Sequence, residues 1–88
     1  MRRTEYYKEA LRFLKHLPPK HGRQLLAKIG ELADDPNPPD SKLLVGFPYR
    51  RATAGEYRII YFADDETLTI VLIGKRNDDD VYRRLKRR

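Results

Sequence analysis

The chain has 88 residues, 40% hydrophobic and 36% charged, with no cysteine and a net charge of +6. That length limits it to one compact core, and the balance is too apolar for a disordered chain and too charged for a membrane protein. Without cysteine, neither disulfides nor thiolate metal sites can supplement packing, while the cationic surplus favours nucleic acid, acidic protein or anionic lipid as partner.

The opening segment, Met1 to Ala10, lacks the apolar run of a signal peptide. No stretch reaches the ~20 apolar residues of a membrane span, so a cytoplasmic protein is expected. Arg2, Thr4 and Tyr6 alternate briefly, as in a short strand. Tyr7, Ala10, Leu11, Leu14 and Leu17 then fall at helical spacing, and Pro18-Pro19 stops that helix. A second helix is predicted from Lys20 to Ala33, with Leu25, Leu26, Ile29, Leu32 and Ala33 as its apolar stripe. His16 and His21 bracket the proline pair as exposed loop histidines, at a spacing that suits neither a helical metal pair nor a dyad. The Asp34 to Asp40 stretch, with three prolines, reads as a loop inside a single domain spanning 1–88.

Beyond the loop the pattern changes to apolar runs rich in β-branched and aromatic residues, predicting strands over 47–53, 56–63 and 67–75. Short polar connectors at Ala54-Gly55 and Asp64-Asp65-Glu66 make these an antiparallel meander. Asn77 is a candidate N-cap, with Asp78, Asp79 and Asp80 in the first turn of a helix reaching about Leu85. That gives the acidic triplet a structural role; no metal or other cofactor is implied. The fold class is therefore α+β: a helical hairpin packed on a small antiparallel sheet of three to four strands, with a short C-terminal helix.

The cationic surplus grows along the chain. Residues 1–41 hold eight cations and six anions, and residues 42–88 hold eleven and seven. A turn at Ala54-Gly55 would pair Arg51 directly with Arg58 on one face, with Arg50 pointing the other way. The next hairpin would add Gly74 and Arg76 to the face of Arg58 if its loop has three residues, or Ile73 and Lys75 if it has two. Like charges across a strand pair cost on the order of several tenths of a kcal/mol. Guanidinium contacts to a phosphate would more than offset that. Tyr82, on the terminal helix, could join this cluster or the core, whereas Tyr57 and Tyr61 belong to the core opposite Arg58.

KLLVGFPYRRATAGEYRIIYF followed by LIGKRNDDDVYRRL, after two helices, resembles the RelE/ParE toxin superfamily over nearly the whole chain. The most telling parts are Lys42-Leu43 to Gly46, the Gly55 to Tyr61 segment, and Gly74-Lys75-Arg76 followed by Tyr82. The resemblance implies a toxin paired with a neutralising antitoxin that wraps the basic face or displaces the terminal helix. In its RelE-like branch the activity is a ribosome-dependent endoribonuclease cutting messenger RNA; in ParE-like members it is gyrase inhibition without RNA cleavage. By the same resemblance Arg58 and Arg76 contact the scissile phosphate, Arg51 is a basic residue on the preceding strand, and Tyr82 assists proton transfer. Arg50, Lys75, Lys42 and Arg83 are the accompanying RNA-binding candidates. The RelE-like branch commonly carries a further basic residue where this chain has Tyr49, which leaves the general base open.

The implied chemistry is attack by a ribose 2′-hydroxyl on the adjacent phosphate without metal or covalent intermediate, so DNA is expected to be inert. Free tyrosine and lysine titrate near ~10 and are poorly matched to neutral pH. Dependence on the ribosome is consistent with that, since it would supply the orientation term.

Overall fold

In the computed structural model, which describes residues 1–76 and 80–87, Asp80 by its backbone alone, eight elements follow one another. They are β1 (Arg3–Tyr6), α1 (Lys8–Lys15), α2 (Pro19–Asp34), β2 (Lys42–Leu43), β3 (Arg50–Ala54), β4 (Tyr57–Ala63), β5 (Thr67–Lys75) and α3 (Asp80–Lys86). The α+β class and the element order are those expected. The strands form one five-stranded sheet, ordered β1-β5-β4-β3-β2. It exceeds the expected count because Lys42-Leu43 pairs with Arg50 and Arg51, and because β1 lies parallel to β5, Arg3 opposite Thr67. The expected cap at Asn77, with Asp78 and Asp79, lies outside the described residues.

The helical hairpin follows from its prolines. Pro19 opens α2 at a position where the missing N–H was never needed, and the Gly22 N–H donates to the Pro18 carbonyl at 2.9 Å. Leu25, Ile29, Leu32 and Ala33 of α2 and Ala10 of α1 are buried against one face of the sheet, on Ala52, Tyr57, Ile59, Tyr61 and Ile73. Full burial of one such aliphatic side chain contributes about 1.5–3 kcal/mol. The loop after α2 is tied down twice: Tyr61 Oη donates to the Pro36 carbonyl at 2.7 Å, and Lys28 pairs with Asp40 at 2.7 Å. His21 is not the exposed loop residue expected. It sits half-buried within α2, and its Nδ1 shares a 2.6 Å hydrogen bond with Tyr57 Oη.

The opposite face carries a second cluster of Ile60, Val71, Leu72, Val81 and Leu85, packed with Tyr7, Leu44, Phe47, Tyr49, Phe62 and Tyr82. Here α3 docks through Val81 and Leu85. Arg84 fastens it further, its Nη2 donating to the Ile73 carbonyl at 2.8 Å and its Nη1 reaching Glu9 Oε2 at 2.7 Å.

Two registers decide which residues meet. The β3–β4 turn is Gly55-Glu56, with Gly55 at φ 59, one residue later than expected. Arg51 therefore pairs with Ile60, and Arg58 with Thr53. Because the shift moves partners by two, both arginines keep the same face and become diagonal neighbours. Between β4 and β5 a bulge leaves Val71 as the extra residue, Ile60 facing Leu72 and Tyr61 facing Ile70. The bulge places Gly74 opposite Arg58; unbroken pairing from the loop would have placed Ile73 there.

Candidate functional site

Opposite Arg58, Gly74 has no side chain to fill the space, and that space is where α3 rests. A Cβ on Gly74 would lie 3.0 Å from Val81 Cβ and 2.9 Å from Arg84 Nη2. This close approach brings Tyr82 over β4. Arg58 Nη1 donates to Tyr82 Oη at 2.9 Å, and its guanidinium carbon lies 5.5 Å from the ring centroid. Arg58 Nε is buried with no hydrogen-bond partner among the described residues. Among the described residues the guanidinium is thus held by a single neutral partner.

Arg58 and Tyr82 line a cleft of about 500 Å³ whose other lining residues are Lys42, Leu43, Leu44, Val45, Phe47, Arg51 and Lys86. Lys42 reaches it because it pairs with Arg51 across β2 and β3. Four cations and no carboxylate stand among the described lining residues. Such a field attracts a phosphate and, being fixed in place, stabilises negative charge that grows during a reaction.

Of the residues singled out from the sequence, Arg51, Arg58, Tyr82 and Lys42 come together here. Others lie elsewhere. Arg50 is bound to Ser41 Oγ, from Nη2 at 2.9 Å and Nε at 3.2 Å, in a separate depression beside Tyr61. Lys75 pairs with Tyr57 and lines a hollow on the α1 side of the sheet with Arg12 and Phe13. Arg76 has passed the end of β5; its N–H donates to the Glu56 carbonyl at 2.8 Å and its side chain is exposed outside the cleft lining. Arg83 is exposed on α3 and also outside that lining. Tyr49, where a further basic residue was sought, is packed between Phe47 and Phe62.

Sequence reasoning missed Lys86 and the apolar rim of Leu43, Val45 and Phe47. Lys86 was within reach, since it stands four residues after Tyr82 and so on the same side of α3. The rim was not, because residues 44–49 form an irregular loop closed by the Leu44 N–H to Tyr49 carbonyl bond at 2.9 Å.

Over residues 4–80 the chain matches the family described as the ParE toxin of the type II toxin-antitoxin system, parDE. No curated protein matches it. Among solved structures it is similar to the archaeal RelE-RelB complex of Pyrococcus horikoshii OT3, at 29% identity and a TM-score of 0.73 over 85% of this chain and 94% of that one. It is likewise similar to the RelBE2 toxin-antitoxin complex of Mycobacterium tuberculosis, at 26% identity and a TM-score of 0.74 over 85% and 98%. A free mutant of the E. coli toxin RelE shares the fold, with 24% identity and a TM-score of 0.76 over 98% and 96%. With the family model covering most of its length, the chain belongs to the RelE/ParE superfamily of type II toxin-antitoxin toxins.

Proposed function

We propose that this toxin is a ribosome-dependent endoribonuclease that cuts messenger RNA in the cytoplasm and is neutralised by a cognate antitoxin. The observation that carries the reading is the Arg58–Tyr82 hydrogen bond of 2.9 Å inside a cation-lined cleft. A docking surface needs no half-buried guanidinium aimed at a phenol; phosphoryl transfer uses both. Complexes with RelB among the similar structures support the antitoxin partner.

In the proposed step the ribose O2′ passes its proton to solvent water and bonds to the adjacent phosphorus as the P–O5′ bond breaks, and solvent later restores the proton that Tyr82 gives up. The products are a 2′,3′-cyclic phosphate and a free 5′-hydroxyl. Arg51 and Arg58 hold the non-bridging oxygens, where charge builds up. Tyr82 Oη accepts from Arg58, so its own hydrogen remains for a substrate oxygen, and the departing O5′ is the group that needs one. The ribosome aligns O2′ with the phosphorus, a contribution that this open cleft does not make by itself.

Purified protein added to a translation extract should yield new 5′-hydroxyl ends within codons of translated messages and none on free RNA or DNA. A second reading, gyrase inhibition, is favoured by the ParE description of the matching family. Absence of cuts together with arrest of gyrase supercoiling would put that reading first.

A further inference from the structure

We propose that Phe47 is a nucleobase platform, so that the cleft takes one base of single-stranded RNA together with the phosphate beside it. The proposal rests on the nuclease reading and adds to it a site for the base.

The cleft has two walls of different chemistry. Arg51 and Arg58 of the sheet and Lys86 of α3 line it with charge; the segment from Lys42 to Phe47 brings the fourth cation, Lys42, and the apolar side chains of Leu43, Leu44, Val45 and Phe47. Leu43 is 68% and Val45 97% exposed, so the loop after β2 presents apolar surface at the rim instead of burying it. An occupant that suits both walls is an anion with a flat apolar part, which describes a nucleotide. A phosphate alone would leave the second wall uncovered.

Phe47 is also held ready for stacking. Its ring lies nearly parallel to Tyr49, at 11° with centroids 6.3 Å apart, and Tyr49 lies at 26° and 5.7 Å to Phe62. Phe62 meets Tyr7 edge-on at 6.4 Å. This aromatic series runs into the cluster around Ile60 and Leu72, which fixes the plane of Phe47 in the cleft wall. Gly46, at φ 83, lets the loop turn back just before it. A fixed ring beside guanidinium groups is the arrangement by which single-stranded RNA is bound, bases on aromatic faces and phosphates on cations.

The test compares Phe47→Leu, Phe47→Tyr and Arg58→Ala with the unaltered toxin in a translation extract. Phe47→Leu, which keeps the bulk and loses the ring, should lower cutting roughly 5- to 100-fold and even out its distribution among codons. Phe47→Tyr should preserve both. A Phe47→Leu toxin that cuts at the original rate with the original distribution would overturn the proposal, as would equal losses in the two variants. Failure of the nuclease reading looks different: the unaltered protein makes no cuts, or Arg58→Ala cuts as well as it does. A binding measurement reads the platform without cleavage, using short 2′-O-methyl RNA with and without one abasic position. The unaltered protein should prefer the intact oligomer and Phe47→Leu should bind both alike; no preference in the unaltered protein defeats the idea. Weakened antitoxin binding by Phe47→Leu with cutting unchanged would assign the wall to the protein partner and likewise refute it.

Discussion

Replacing Arg58 with methionine should make the protein more stable and sharply lower its activity. Three features set the sign. Among the described residues the guanidinium has one hydrogen bond, to Tyr82, worth about 1.5 kcal/mol and largely replaceable by water in an open cleft. Against it stands Nε, buried without a partner among the described residues, a desolvation cost of about 1–3 kcal/mol. Arg51, diagonal to it on the same face, adds a few tenths of a kcal/mol of repulsion. Methionine keeps an unbranched stem of similar length opposite Gly74 and removes both penalties. The expected gain is about 1 kcal/mol, or a rise in Tm of about 4–8 °C for a domain of this size. Thermal and urea unfolding at low salt would measure it, and cutting in the translation extract should fall about 100- to 1,000-fold. A variant that melts below the parent protein would refute the claim that the cleft is an electrostatically costly site kept for function.

Tyr82→Phe should reduce cutting by about two to four orders of magnitude, and adding Arg58→Ala to it should cost less than the two losses combined, because the groups act together; additive losses in kinetic assays would show them independent. Gly74→Ala places a Cβ 3.0 Å from Val81 Cβ, so α3 should shift and activity fall, detectable as lost cutting with β-sheet circular dichroism retained. Tyr61→Phe strands the Pro36 carbonyl that Tyr61 Oη now satisfies and should lower stability by about 1 kcal/mol without altering cutting by the folded fraction. Backbone N–H groups of Glu66 and Thr67 hold the Asp64 carboxyl below its ordinary value of 3.8, so its stabilising effect is complete above that value and fades as pH falls through the lower folded one. Asp64→Asn should therefore show a shallower loss of urea midpoint between pH 5 and pH 2.5; superimposable acid profiles would remove Asp64 from the account.

Much of the architecture was legible because periodicity reports burial. The stripe of Leu25, Ile29 and Leu32 gave the α2 core face, and the β-branched runs gave β4 and β5 with their boundaries within a residue or so. Arg51 and Arg58 could be assigned to one face even with the turn misplaced, since a one-residue shift in a hairpin changes partners by two and leaves parity intact. The bulge at Val71 could not be read, because an extra residue in a continuous apolar run has no compositional mark. Long side chains past the end of a strand escape the same logic: Arg76 has the parity of Arg58 but no neighbouring strand to direct it. The apolar rim belongs to an irregular loop, where neither helical nor strand spacing applies.

Strand β5 lies between β1 and β4 and also touches α1 and α3. During synthesis, therefore, β1 and α1 lack their main partner until residues 67–75 have emerged, because β1 takes its hydrogen-bond partners from Thr67 to Ile70 and α1 packs chiefly on β5. Contacts that distant in the chain make for slow, late folding. A nascent toxin should stay harmless to the ribosome making it, its arginines and its phenol still apart, and should depend on chaperones to shield the leucines of α2 in the meantime.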